Sequence, residues 1–361
     1  VVHSTFYASA TSDTNWRDPF SILIAISERL WLGVPMFFVI SGYCIAATAD
    51  SSRRKGASPR TYFAKRLRRI FPPYLVFLAI SAVFVGAMDV AWPNLFADDN
   101  HGIARPWWLT ARQWFGSITL TEGWLYHFTD SPRKFFQAHA WTLGYEEQFY
   151  AVTGGILVCS SRRFFLSASI VTAAVLAIMA TPFNLNGFFF DGYWLHFAAG
   201  ILVFYAVVYR QRRHHLWLAM PLVVGMIYCL AKPSELTTQA GTWRQHSLIA
   251  YAFAIGILWL HPWDHHIAAS RATAPLHQCG IRCYSIYLVH WPICKAISHA
   301  LFDSGIQSPM ATVLVTVPLC LVASVSAGWV FHTVVERRFM NSPATEPSRA
   351  RSELSVATIS A

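Results

Sequence analysis

Charge is the first shortage. Asp, Glu, Lys and Arg make up 13% of the 361 residues, about half the ~25% of a soluble domain, so two or three water-soluble domains are excluded despite the length. Acidic residues are scarcer than basic ones, 18 against 28. In a soluble protein the resulting +10 would suggest nucleic acid, but these charges sit between apolar stretches and no nucleic-acid partner is expected. Zinc-type spacing of cysteine and histidine is missing too. The seven cysteines fall mostly within apolar segments and read as small core hydrophobes, with no metal expected. Composition further excludes a disordered, collagen-like or coiled-coil chain, and no internal repeat is evident. There is no initiating methionine, basic leader or cleavage site before Val1-Val2-His3.

What is present is apolar sequence: 55% hydrophobic and 15% aromatic residues, with mean hydropathy +0.38. A bilayer core takes about 20 mostly apolar residues. Such stretches recur near 21–48, 70–88, 139–159, 164–181, 188–209, 216–231, 247–261, 281–302 and 311–335. Loop charge alternates as the positive-inside rule requires. Arg53 to Arg69, Arg162 with Arg163, Arg210 to Arg213, Arg271 with Arg282, and Arg337 with Arg338 mark one side; the long mixed 89–138 loop and the uncharged 182–187 loop lie on the other. This puts the residues before 21 outside and the C-terminus in the cytoplasm. The expectation is an all-α integral membrane protein, a polytopic bundle of about ten transmembrane helices in the full-length protein, the first largely missing here. Residues 1–340 form the transmembrane domain, and the Ser-, Ala-, Thr- and Pro-rich 341–361 a disordered cytoplasmic tail.

Five short segments could carry chemistry. In Trp141-Thr142-Leu143-Gly144-Tyr145-Glu146-Glu147-Gln148-Phe149-Tyr150 two adjacent carboxylates enter the membrane on a helix. A charged residue near the bilayer centre costs about 2.5–3.5 kcal/mol and usually faces a cavity or partner. At 100° per residue Thr142 and Glu146 share one face while Glu147 takes another. The alternative is an interfacial helix start with carboxylates at the positive dipole end. His3 falls in the same outer half of the bundle, either as an interfacial residue or as a base whose tautomer Glu146 holds. Arg66 and Arg69, three apart, suit either a phosphate-gripping pair or a membrane-surface anchor. Gly33 to Tyr43 contains a small Ser41-Gly42 step that permits close helix approach. Tyr284 to Pro292 places His290 and Pro292 in a span, which suggests a kinked helix with a polar contact.

In this order the segments resemble the membrane-bound acyltransferase-3 family, integral-membrane enzymes that O-acylate surface glycans and some secreted molecules. His3 matches the family's essential histidine and Gly33 to Tyr43 its FFVISG helix. Arg66 with Arg69 matches R-x-x-R, Trp141 to Tyr150 the W-S-L-x-x-E-E-Q-F-Y run, Tyr284 to Pro292 Y-L-x-H-x-P, and Glu336 with Phe339 the closing E-x-x-F. The chain departs from the pattern at Pro35, where Asp is frequent, and at Thr142, where Ser is usual; an arginine expected before His3 lies outside the sequence.

The resemblance implies a bacterial inner-membrane enzyme using acyl-CoA, in the first instance acetyl-CoA, as cosubstrate and a glycan or other hydroxyl compound as acceptor, among membrane lipids. It implies His3 as base, Glu146 as its orienting partner, Arg66 and Arg69 as the CoA-phosphate site, and Glu147, Thr142, Ser41 and Tyr150 as supporting residues. Intramembrane Glu and His also suit a proton-coupled transporter or flippase, or a noncatalytic sensor; dependence of CoA binding on Arg66 separates a carrier from an enzyme.

Overall fold

A computed structural model describes residues 18–92, 103–129, 132–183, 185–231 and 242–340. Helices occupy every one of the apolar stretches recognised in the sequence. In chain order they are α1 (Pro19–Ser27), α2 (Gly33–Arg54), α3 (Pro59–Ala91), α4 (Ala111–Ile118), α5 (Glu122–Leu125), α6 (Trp141–Ser160), α7 (Phe164–Met179) and α8 (Tyr193–Tyr209). There follow α9 (His215–Leu230), α10 (Thr242–Leu260), α11 (Asp264–Ala269), α12 (Ala274–Ile281), α13 (Cys283–Asp303) and α14 (Val317–Val334). Four helical segments, Pro19–Arg54, Pro59–Ala91, Ala138–Met179 and Pro309–Arg338, are long and apolar enough to cross a membrane. The protein is thus a helical integral membrane protein.

Local chemistry sets the helix starts. Asp18 caps α1, accepting from the backbone N–H of Phe20 (3.3 Å) and Ser21 (2.9 Å); Ser58 and Pro59 open α3, and Thr110 with Gln113 forms a capping box for α4. Two boundaries differ from the sequence reading. The basic 49–69 segment is mostly helix, with α2 running to Arg54 and α3 beginning at Pro59. The long 89–138 loop carries a folded cap: α4, α5 and a single bridge between Ile103 and Gln137. Fully buried Glu122 holds the cap together, accepting from the Lys134 backbone N–H at 2.8 Å and pairing with Arg112 at 3.3 Å. Burial pushes its carboxyl above the usual range, against the pull of those two donors.

Close packing in a membrane needs small residues at the contact. A side chain on Gly42 of α2 would collide with the Phe197 carbonyl of α8, and one on Gly200 of α8 with the Val39 carbonyl of α2. At the end of the same pair that holds the α2 C-terminus, Asp50 gathers Arg53 (2.5 Å), Arg54 (2.8 Å) and the Tyr209 hydroxyl (2.5 Å). Helix α13 packs on α14, where buried Glu336 accepts from Ser285 (2.5 Å) and from His332 (2.9 Å). The Tyr284 hydroxyl then ties α13 to α3 through the Ile70 carbonyl at 2.8 Å. Helices α2, α3 and α13 contact one face of α6.

Candidate active site

Helix α6 and the turn before it carry polar side chains at His139, Thr142, Glu146, Tyr150 and Thr153. Steps of three, four, four and three residues keep them on one helix face, a column about 21 Å long at 1.5 Å rise per residue. That is most of the ~30 Å hydrocarbon thickness. Each member has a partner on another helix or at its own end of the column.

At one end His139 is buried, its ring stacked on Trp291 (centroids 5.6 Å apart, planes 12° apart) and edge-on to Tyr287 and His290 at 5.3 and 5.5 Å. The Tyr287 hydroxyl donates to the His139 carbonyl. A phenol has one proton to give, so in the 2.6 Å contact between Thr142 and Tyr287 it is Thr142 that donates. His290 donates from Nδ1 to the Tyr287 carbonyl at 2.6 Å, the polar contact expected beside Pro292.

The middle belongs to Glu146. Its Oε1 accepts from Ser41 Oγ at 2.9 Å and from the Tyr150 hydroxyl. The Ser41-Gly42 step therefore has two jobs: Gly42 lets α2 and α8 touch, and Ser41, one position away, is turned toward α6. Glu147 has no hydrogen bond or ion pair among the described residues, so Glu146 is the one of the adjacent carboxylates that α2 and α6 fix between them.

At the far end sits Arg66, buried although it is a full charge. Its guanidinium lies 5.2 Å from the Tyr150 ring centroid and 6.0 Å from that of Tyr62, and donates to the Thr48 hydroxyl. Arrangements of this kind place a cation over aromatic faces while leaving other N–H donors available for an anion. The Tyr62 hydroxyl closes the column on Thr153, 2.7 Å away. Thr153 spends its proton on the Phe149 carbonyl at 2.8 Å, so Tyr62 is the donor.

The structure thus brings Ser41, Glu146 and Tyr150 together, sets Thr142 a turn away on the same face, and puts Arg66 beyond Tyr150. Arg69, a turn further along α3, is exposed. His3 lies outside the described residues. Sequence reasoning passed over His139, Tyr287, the Tyr62–Thr153 pair and Lys295, a cation buried within α13. The first and the Thr153 half of the pair had a signal: the spacing of polar residues along an otherwise apolar helix extends both ways from Thr142 and Glu146. Tyr287, Tyr62 and Lys295 had none, because their relevance comes from packing between segments far apart in sequence. Among the described residues no group of three or more His, Cys, Asp or Glu side chains is arranged to hold a metal ion.

No solved structure matches the chain. The exopolysaccharide production protein ExoZ of Rhizobium meliloti (strain 1021) is 27% identical over 296 residues, covering 77% of this chain and 80% of ExoZ. The O-acetyltransferase OatA of Staphylococcus aureus (strain NCTC 8325 / PS 47) is 25% identical over 152 residues, 42% of this chain. A putative O-acetyltransferase of Staphylococcus aureus (strain COL) is 27% identical over 173 residues, 44% of this chain. The matched regions span only 24% and 26% of those two staphylococcal proteins. The acyltransferase domain of the acyltransferase-3 family matches residues 1–332, nearly the entire chain. A helical membrane bundle that sets Glu146 and buried Arg66 in one polar column, matched over that length, belongs to the acyltransferase-3 family and is an acyltransferase.

Proposed function

We propose that this protein is an O-acyltransferase of the bacterial inner membrane that moves a short acyl group, acetyl in the simplest case, from cytoplasmic acyl-CoA to a hydroxyl of an exported or surface glycan. The single observation that carries the reading is the polar column of α6. It leads from a buried arginine at one end, past a carboxylate held by two hydroxyls, to a histidine-rich end on the other side. A donor bound in the cytoplasm and an acceptor presented outside require such a route, and ExoZ and OatA carry exopolysaccharide production and O-acetyltransferase in their names.

In this reading Arg66, joined by the exposed Arg69 one turn further along α3, binds CoA phosphates, and the thioester reaches up the column toward Glu146. His3 removes the proton of the acceptor hydroxyl as its oxygen attacks the thioester carbonyl; the C–S bond breaks and CoA leaves as thiolate. A thiol of pKa about 8.5 needs no strong general acid to depart. Glu146 orients His3 and stabilises its protonated form. The protons of Ser41 and Tyr150 are directed at Glu146, so these hydroxyls act on the carboxylate and do not serve as oxyanion donors at rest. Thr142 is likewise committed to Tyr287.

The test is mass analysis of surface glycan from cells expressing His3→Ala or Glu146→Ala at the level of the parent protein. Acylation should fall by about 10²-fold or more for His3→Ala, the usual worth of a general base. Undiminished acylation in both variants removes these roles. Binding of CoA that does not weaken in Arg66→Ala removes the donor site and favours a carrier.

A further inference from the structure

Helix α6 has a second functional face. Trp141, Tyr145 and Gln148 lie on the side turned away from Glu146, and there they border a cavity of about 790 Å³. That volume falls within the ~300–1,000 Å³ of small-ligand sites. The cavity belongs to the half of α6 farther from Arg66, and the folded cap and the 186–191 loop complete it. We propose that this cavity is a saccharide-binding subsite, holding a sugar unit of the acceptor chain next to the one that reacts; the inference rests on the acceptor being a glycan.

Three features support that ligand class. The walls are aromatic, from Trp124, Trp141, Tyr145 and Tyr193, the apolar surfaces on which the C–H faces of a sugar ring pack. The floor carries a carboxylate with capacity to spare. Asp191 Oδ2 accepts from the Tyr145 hydroxyl and, at 2.9 Å, from the Gly187 N–H, whereas Oδ1 receives only a 3.5 Å contact from the Tyr193 N–H. A half-satisfied carboxylate oxygen in an aromatic pocket is suited to accept from sugar hydroxyls.

The site is also built in advance. Gln148 reaches from α6 to grip the loop, donating to the Gly187 carbonyl at 2.9 Å and accepting from the Phe189 N–H at 2.8 Å. Gly187 has φ +93° and sits where any side chain would strike the Gly123 carbonyl of the cap, so cap and loop lock onto each other. Preorganisation of this kind lowers the ordering cost of binding.

The location agrees with the chemistry. Ala138 lines the cavity, and its neighbour His139 heads the polar column on the opposite face. The cavity and the head of the column therefore adjoin at the start of α6.

The experiment uses the full-length protein in detergent and short and long fragments of the host's own exopolysaccharide, de-acylated with alkali. Binding is measured by calorimetry for the parent, Asp191→Asn and Trp124→Ala, with CoA binding as the check on folding. Affinity for long fragments should fall roughly tenfold or more in each variant, the worth of a charge-assisted hydrogen bond or an aromatic contact. In transfer assays the acceptor KM should rise by the same factor while kcat holds. Equal affinity in parent and both variants, or no binding of any fragment by the parent, overturns the subsite. A parent that binds fragments but acylates none leaves the subsite standing and overturns the transferase reading on which it rests.

Discussion

Among single residues, Glu146 shows both the reach and the limit of sequence reasoning. Its separation from Glu147 by 100° of helix was readable, because helix geometry is local. Which hydroxyls hold it was not: Ser41 is 105 residues away, and only the packing of α2 on α6 brings it to 2.9 Å. Ser41→Ala leaves Tyr150 as the remaining hydroxyl on Oε1, so the carboxylate stays in place with one donor fewer. The expected outcome in steady-state assays is a kcat loss of about tenfold with little change in donor KM, the cost of one hydrogen bond to a charge.

Elements were the most legible level. Long apolar runs must form helices in a bilayer because no water is present to satisfy free backbone groups, and each recognised stretch is helical in the structure. The folded cap was not legible. Its stability depends on Glu122, a residue that looked like one more loop charge but is enclosed by Arg112 and the Lys134 backbone. Removing Arg112 strands a buried carboxylate, a change that typically costs about 3–5 kcal/mol. Arg112→Ala should therefore open the cap to limited proteolysis between Ile103 and Gln137 while the helices stay protected. Helix pairing offers a sharper case. Gly42→Ala forces a methyl group into the Phe197 carbonyl, and overpacking of this kind costs about 1–3 kcal/mol. The unfolding midpoint should drop, and acyl transfer with it, since the same shift of α2 moves Ser41 off Glu146. Gly33→Ala, with open space around the added carbon, should change neither.

For the molecule as a whole, the two faces of α6 are proposed to take different parts of the substrates: the CoA end of the donor on one, the non-reacting sugars of the acceptor on the other. The Arg66 end is reached through Tyr150 and the saccharide cavity through Tyr145, five residues apart, about 7.5 Å along the axis and on different sides of the helix. Family likeness pointed to the arginine and the carboxylate. It gave no hint of the cavity, because that cavity is assembled from a cap, a loop and a helix face with no shared motif. Sites that share no contacts have nearly additive free energies. Arg66→Ala should raise the donor KM by tenfold or more and leave saccharide affinity as it is, whereas Asp191→Asn should do the reverse. The double variant should lose kcat/KM by the product of the two single losses when both substrates are limiting. A loss much smaller than the product would mean that the CoA-phosphate site and the saccharide subsite are coupled, and that α6 does not keep them apart.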